Sequence, residues 1–391
     1  RAAEKVTPIW VVQPLGRTKQ ILPPATYYQP RPEIEKVIVD VWRNGLPRVL
    51  ALTGMGGCGK TAIVQHFLEG CPLTRERHSK KATLQEMPAA DAVFVWNFYD
   101  MPFAEVFLRR FADYLKTGSA MYVRNEDCLD LIRRGLDERG LRRILLVMDG
   151  LEKIQRPWGD DMEEGELQFS LVLELLKEIA SGNLPIVAIL TTRLEPIELQ
   201  GFEGYSLIRV GGLSKEAARA LLRACGVQGS DERLDQLAAD FGYHAITIYH
   251  LGRLLGDFYN GNVDEAYRLP AVERIFQKTG VQEIDEINRR FIKVFARYEE
   301  HLAEQELAVL QRVATLDMPL STPEFNQIFI EPGDMRLAGP LAGLSLDEVQ
   351  RCFDALQARQ LLTGYVMSDQ PPRYGTHPTL SYYFANALMD D

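Results

Sequence analysis

The chain has 391 residues with 46% hydrophobic and 25% charged content, and its formal net charge is −10 at pH 7. These values are those of an ordinary globular protein of about two to four domains. The acidic balance argues against broad contact with nucleic acid or with an anionic membrane surface, and no apolar run is long enough to cross a bilayer. We therefore expect neither a membrane nor a nucleic acid as a partner.

Two features concern the cellular setting of the chain. The five cysteines are scattered without the spacing of metal ligands, so we expect reduced thiols and a cytoplasmic location. Residues 1–32 mix prolines with short β-like patches, which is typical of an extended linker. Because the chain opens on Arg1 rather than on Met and this region lacks a core-like period, we expect it to be part of a longer protein with a domain upstream.

Alternating strand-like and helix-like segments predict an α/β domain over residues 33–212. Apolar runs predict buried parallel strands at Val49–Leu52, Asp91–Tyr99, Ile144–Met148, Leu184–Leu190 and Tyr205–Val210. A helical period is present at Glu33–Trp42, from Ala62 to about Gly70, at Phe103–Leu115 and at Leu167–Ala180. This order predicts a doubly wound parallel sheet, which binds ligands at the carboxyl ends of its strands.

The pattern becomes helical after residue 212. Helix signals at Ser214–Cys225, Asp231–Phe241 and His244–Leu255 predict an all-α domain over residues 213–300. In residues 301–391 we expect a helix that begins with Thr322 as its N-cap and Pro323 as its first residue. A capping box at Ser345–Glu348 predicts another helix, and a strand pair follows at Leu361–Val366 and near Tyr374. Helices followed by a hairpin predict a winged-helix domain.

The stretch from Gly54 to Thr61 fits the phosphate-loop pattern G-x-x-x-x-G-K-[ST], and it lies between a predicted strand and a predicted helix. Its glycines allow successive backbone N–H groups to point at one anion, and the helix N-terminus adds partial positive charge. Lys60 is expected to reach the β/γ-phosphates and Thr61 to bind Mg²⁺. The sequence therefore predicts a site for ATP or ADP with Mg²⁺, formed by Gly54, Gly56, Gly57, Cys58, Gly59, Lys60, Thr61 and Ala62.

Polar residues follow the third and fourth predicted strands. Asp149 ends an apolar strand, as an acid that holds the Mg²⁺ shell does. Glu152 is a candidate for orienting the water that attacks the γ-phosphate, and its alternative is a solvated loop acid. Thr192 and Arg193 are expected beside the γ-phosphate, where the fork of Arg193 could distinguish ATP from ADP. We predict Lys60, Asp149, Glu152 and Arg193 as the catalytic set.

Five segments in this order resemble the nucleotide-binding oligomerisation module of STAND ATPases, the signal-transduction ATPases with numerous domains that include the NACHT and NB-ARC proteins. They are Gly54–Thr61, Val147–Glu152, Thr191–Arg193, Gly242–Ile246 and Thr376–Pro378. The resemblance covers about residues 25–391 and is greatest for the bacterial branch. It implies a slow ATPase that is closed and autoinhibited with ADP and that opens and self-associates with ATP in bacterial defence or stress signalling. An effector domain upstream and a sensor domain downstream are also implied.

The resemblance also implies roles for three residues distant from the phosphate loop. Arg31 is placed near the adenine, although Pro30 occupies the position of the family's glycine. Ala245 replaces the family's proline that contacts the base. His377 is placed where a winged-helix histidine meets the β-phosphate of ADP, and its alternative is an ordinary histidine of that domain.

Two other classes of protein fit parts of the pattern. An initiator-type ATPase would use the winged helix to bind DNA, but residues 301–391 contain five Lys and Arg against twelve Asp and Glu. A DNA-binding surface needs the opposite balance. A metabolic ATPase or kinase would need a substrate pocket in the α/β domain, whereas this sequence adds two helical appendages.

Overall fold

The computed structural model describes Leu22 and residues 27–70, 88–115, 124, 127–155, 165–269, 282–316, 318–365, 371–377, 380–381 and 383–385. The chain folds into two compact units. The first unit contains Arg1–Ala25, Arg31–Gly54 and Lys60–Val210. The second unit contains Thr26–Pro30, Met55–Gly59 and Gly211–Asp391. The middle of the phosphate loop therefore belongs to the second unit.

The first unit is built on a five-stranded parallel sheet. Its strands are β1 (Val49–Thr53), β2 (Ala92–Asn97), β3 (Ile144–Asp149), β4 (Ile186–Thr192) and β5 (Tyr205–Arg209). They lie in the order β2-β3-β4-β1-β5, so β4 separates the strand before the phosphate loop from the strand that ends in Asp149. Strands β1 to β4 are buried along their whole length, as expected for apolar parallel strands covered on both faces. All five predicted strands are confirmed.

The first unit also contains five α-helices among the described residues. They are α1 (Pro32–Asn44), α2 (Lys60–Gly70), α3 (Ala104–Leu115), α4 (Cys128–Glu138) and α5 (Ser170–Ala180). Helix α4 was not predicted, although Leu129, Ile132 and Leu136 form a buried stripe at helical spacing. The core beside β2 is aromatic, since Phe94 of β2 contacts Phe107 and Phe111 of α3. These contacts fix the position of β2 and of the turn that follows it.

The second unit begins with three helices, α6 (Lys215–Ala224), α7 (Asp231–Asp240) and α8 (Ala245–Phe258). Ser214 caps α6, because its hydroxyl accepts a hydrogen bond of 3.1 Å from the Ala217 amide. The longer α9 (Gln282–Glu299) follows and packs on α8. These elements confirm a helical region after the sheet.

The rest of the second unit forms a winged helix. It contains α10 (Glu304–Ala314), β6 (Leu320–Ser321), α11 (Thr322–Phe329), α12 (Met335–Ala338), α13 (Leu346–Ala358), β7 (Thr363–Tyr365) and β8 (Arg373–Gly375). The three strands form an antiparallel sheet in the order β6-β8-β7. The predicted capping box of Ser345 and Glu348 is confirmed at the start of α13.

The predicted cap of α11 is wrong by one residue. The N-cap is Ser321, whose hydroxyl accepts from the Glu324 amide at 3.4 Å, while the Glu324 carboxylate accepts from the Ser321 amide at 2.7 Å. The hydroxyl of Thr322 instead donates to Gln350 at 2.5 Å. The reciprocal pair satisfies two amides that the helix would leave unbonded, so the cap lies where Ser and Glu are three residues apart.

The apolar core of the second unit is one contiguous cluster that extends from Leu213 to Phe384 and includes residues of both the helical and the winged-helix segments. The boundary near residue 300 therefore stays a prediction, as do the other predicted domain limits. Within the described part of the chain, no helix has both the length and the apolarity that a membrane span requires.

Candidate nucleotide-binding site

The middle of the phosphate loop is tightly packed in the second unit. Gly57 and Gly59 have φ angles of +80° and +104°, which favour glycine. A Cβ atom at Gly57 would lie 2.2 Å from Cγ2 of Ile246 and 3.3 Å from Cε1 of His244. No side chain fits in this space. The loop therefore needs glycine here because of both its backbone conformation and its neighbours at the start of α8.

Two hydrogen bonds join the loop to the start of α8. The Ile246 amide donates to the Gly57 carbonyl at 3.0 Å, and Nε2 of the buried His244 lies 2.9 Å from the Gly56 carbonyl oxygen. A carbonyl only accepts, so Nε2 carries a proton. Nδ1 of His244 lies 2.8 Å from the Thr247 hydroxyl, which fixes the ring orientation. His244 was not predicted as a site residue, because its role becomes visible only when α8 and the loop are placed together.

In the first unit, Thr61 and Asp149 lie side by side. The Thr61 hydroxyl donates to Oδ1 of Asp149 at 2.8 Å, and the Thr191 hydroxyl donates to the same oxygen at 2.6 Å. Burial raises the pKa of Asp149 to about 6, although the two hydroxyl hydrogen bonds oppose this shift. The ammonium of Lys60 donates to the Gly54 carbonyl at 2.6 Å, across the base of the loop. These residues converge at the carboxyl ends of β1, β3 and β4.

The donor atoms of this cluster fit Mg²⁺, which prefers carboxylate and hydroxyl oxygens. Thr61 and Asp149 supply one oxygen of each kind, 2.8 Å apart. Among the described residues, no three His, Cys, Asp or Glu side chains are grouped so that they could hold a metal by themselves. A bound Mg²⁺ would therefore need further oxygens from phosphates and water, as is usual for this ion.

Glu152 lies in a 3-10 helix directly after β3 and is held from two sides. Nε of Arg193 lies 3.0 Å from Oε1 of Glu152, and the hydroxyl of Tyr99 donates to the same oxygen. The side chain of Glu152 is 11% exposed, whereas that of Arg193 is 40% exposed. Glu152 is therefore not a solvated loop acid. Tyr99 was not predicted, since it belongs to no motif.

Beside Arg193, an open cleft of about 360 Å³ lies at the carboxyl ends of β1, β4 and β5. It is lined by Thr53, Gly54, Arg193, Leu194, Glu195, Ile197 and Arg209. Arg209 and Glu195 form an ion pair of 3.7 Å, and the Arg209 side chain is largely exposed. The two arginines make this cleft suited to an anion.

Other predicted residues occupy different surroundings. The buried Thr192 donates to Gln155 at 2.5 Å, on the opposite face of β4 from Thr191. Arg31 is buried at the start of α1, where its amide donates to Glu35 at 2.8 Å. Ala245 is the first residue of α8. The predicted nucleotide contacts of these three residues stay predictions.

His377 and Cys58 complete the predicted set. The carbonyl of His377 accepts from the Leu380 and Ser381 amides at 2.8 and 3.0 Å. Its proposed contact with a β-phosphate stays a prediction. Cys58 is buried, and its amide donates to the Met55 carbonyl at 3.3 Å within the loop. The binding roles of Cys58 and of Ala62, near the start of α2, also stay predictions.

No protein-family model and no curated protein matches the sequence. Among solved structures, the chain is similar to a STAND protein with a tetratricopeptide repeat sensor from Pyrococcus horikoshii, at a TM-score of 0.51 and 15% identity. The alignment covers 94% of this chain and 44% of that one. The two chains share a P-loop ATPase fold. The chain thus spans less than half of the STAND protein that it matches.

Two further solved structures are similar at the level of the backbone. Cdc6p from Pyrobaculum aerophilum has a TM-score of 0.41 at 14% identity, with 93% of this chain and 95% of that chain covered. The ORC1 protein from Aeropyrum pernix, solved in complex with DNA, has a TM-score of 0.41 at 15% identity, with 94% of both chains covered. The predicted fold class is confirmed by the sheet, the helical region and the winged helix themselves. The NACHT or NB-ARC branch stays a hypothesis.

Proposed function

We propose that this chain is the nucleotide-switched core of a STAND-type signalling ATPase, which holds ADP in a closed state and opens and self-associates with ATP. The observation that carries the proposal is the pair of hydrogen bonds from the start of α8 to the phosphate loop, at Gly56 and Gly57. Effector and sensor domains outside these 391 residues would supply output and input.

In this proposal, nucleotide binding is coupled to the position of α8 through the phosphate loop. Residues 55–59 cluster with the helical and winged-helix segments, and the start of α8 binds two carbonyls of the loop. A nucleotide that changes the loop conformation therefore changes the free energy of α8 in its present position. By linkage, a movement of α8 changes nucleotide affinity by the same factor. This reciprocity is what a nucleotide switch requires.

The proposed chemistry is slow hydrolysis of ATP to ADP and phosphate. Lys60 would neutralise phosphate charge, and Glu152 would orient the attacking water. Thr61 and Asp149 would hold a Mg²⁺ ion, which neutralises charge on the phosphates when it is bound. Arg193 would leave Glu152 and contact the γ-phosphate, because its half-exposed side chain also lines the adjacent cleft. The acidic balance of residues 301–391 disfavours the DNA-binding alternative.

The first test is the nucleotide content of the purified chain. We expect acid extraction and chromatography to release ADP or ATP from the parent protein. Lys60→Ala should contain none, because Lys60 is the buried cation that the motif directs at the phosphates. Lys36→Ala removes an exposed lysine of α1 and is the matched control, which should retain nucleotide.

The second measurement is the molar mass by light scattering with ADP and with ATP. ATP should raise the mass of the parent but not that of Lys60→Ala. A parent chain that releases no nucleotide on extraction and binds neither ADP nor ATP in calorimetric titration would contradict the proposed function. A chain that binds duplex DNA with a steep salt dependence would instead favour the initiator class.

A further inference from the structure

The turn after β2 is built to fix Tyr99 in one position. Its amide donates to Oδ1 of Asn97 at 2.9 Å, and the amide of the same Asn97 side chain donates to Asp100 at 3.0 Å. The Phe98 amide donates to the Asp149 carbonyl at 2.8 Å, which ties this turn to the end of β3. The backbone of Tyr99 is therefore held beside the segment that carries Glu152.

The ring of Tyr99 lies directly on Gly150. A Cβ atom at Gly150 would be 2.7 Å from the ring, and the φ angle of Gly150 is +76°. The ammonium of Lys153 lies 5.9 Å from the ring centroid, within the range of a cation–π contact. The residues around Glu152 thus accommodate an aromatic ring, and the hydroxyl of that ring is directed at the carboxylate.

Neither oxygen of Glu152 is directed at open solvent in this arrangement. Oε1 accepts a hydrogen bond from the Tyr99 hydroxyl and forms an ion pair with Nε of Arg193. Oε2 is buried and has no hydrogen-bond partner among the described residues. A general base must lie within hydrogen-bond reach of the water whose proton it takes. With Oε1 engaged and Oε2 buried, Glu152 would have to be released before it could take a proton from water.

We propose that Tyr99 is a positioning residue that holds Glu152 in an inactive orientation and so limits ATP hydrolysis. This inference rests on the proposed ATPase function. When an anion in the adjacent cleft attracts the half-exposed Arg193, the hydroxyl of Tyr99 still holds the carboxylate. Burial raises the pKa of Tyr99 well above its usual value, so the hydroxyl keeps its proton and stays a donor.

Tyr99→Phe tests the proposal, because it removes the hydroxyl and keeps the ring on Gly150. A hydrogen bond to a charged group corresponds to roughly a tenfold to hundredfold change in population. In single-turnover experiments with ATP and Mg²⁺, we expect the hydrolysis rate constant to rise by about tenfold or more. The Kd for ATP should change by less than about twofold, since Tyr99 contacts the proposed general base Glu152 and not the nucleotide.

Two further variants show whether the effect passes through Glu152. Tyr205→Phe is the matched control, because the Tyr205 hydroxyl is buried without a partner among the described residues and begins β5 at the opposite edge of the sheet. Its rate should equal that of the parent. Glu152→Gln should abolish hydrolysis, and adding Tyr99→Phe to it should restore nothing. Thermal unfolding of each variant confirms that it is folded.

The outcomes separate this inference from the proposed function. A Tyr99→Phe rate equal to or below that of the parent, with Glu152→Gln inactive, would show that Tyr99 does not restrain Glu152. A Glu152→Gln variant as active as the parent would also overturn the inference. A parent that binds ATP and never hydrolyses it, together with an inactive Tyr99→Phe, would overturn both proposals.

Discussion

His244→Ala is the substitution that most directly tests the coupling of α8 to the phosphate loop. It removes the hydrogen bond of 2.9 Å from Nε2 to the Gly56 carbonyl and the bond of 2.8 Å between Nδ1 and Thr247. The hydrogen bond from the Ile246 amide to Gly57 remains, because it is a backbone contact. The loop would therefore be loosened at one of two points.

The expected free-energy cost of losing the His244–Gly56 hydrogen bond depends on how deeply its two partners are buried. His244 is 4% exposed, while the Gly56 bond is only partly buried. A polar group that loses its partner in a buried site costs about 1–3 kcal/mol, and the partial exposure of Gly56 places this case near the lower end. About 1 kcal/mol corresponds to roughly a fivefold change in an equilibrium. If the contact of α8 with the phosphate loop holds ADP in the closed state, His244→Ala should release ADP about fivefold faster.

Stopped-flow displacement of a fluorescent ADP analogue measures this rate. Thr247→Val is the graded control, since it frees the ring at Nδ1 and leaves the imidazole able to reach Gly56. Its effect should be smaller than that of His244→Ala. Equal dissociation rates for the parent and His244→Ala, at unchanged melting temperature, would refute the coupling that supports the proposed function.

Two further predictions concern one ionisable side chain in each unit, Arg193 in the first and His250 in the second. Arg193→Ala should leave ADP affinity nearly unchanged and weaken the ATP-dependent rise in mass, since a group that contacts only the γ-phosphate acts only through the ATP-bound state; equal losses of ADP and ATP affinity in calorimetry would contradict this. Burial, with a smaller contribution from Arg253, lowers the pKa of His250 to about 3. Its unfolded form takes up a proton below about pH 6.5, so the stability is complete above that pH and is lost as pH falls toward 3, by about 2 kcal/mol between pH 8 and pH 5. His250→Phe should reduce the change in the free energy of urea unfolding between about pH 8 and pH 5 by this amount, and an unchanged pH dependence would show that His250 takes up its proton at the same pH in the folded and unfolded chains.

Local sequence determined most of the elements and the position of the phosphate-loop motif. The phosphate loop could be identified because its glycines, Lys60 and Thr61 are adjacent in the chain, so their chemistry does not depend on distant residues. The strands could be found because both faces of a parallel sheet are covered, which requires continuous apolar runs. The capping box of Ser345 and Glu348 is equally local.

Tertiary structure decided which side chains meet. Thr191 and Thr192 are the same amino acid and are adjacent in the chain. Because successive residues of a strand face opposite sides of the sheet, Thr191 contacts Asp149 and Thr192 contacts Gln155. The raised pKa of Asp149 likewise depends on burial by residues far along the chain.

The two contacts on which the proposals rest both join residues that are distant in the sequence. Tyr99 and Glu152 are 53 residues apart, and Gly56 and His244 are 188 residues apart. Sequence periodicity reports which face of an element is buried, but not which element covers it. Strand order and helix packing determine which of these residues meet. They therefore also determine the orientation of Glu152 and the contact of α8 with the phosphate loop.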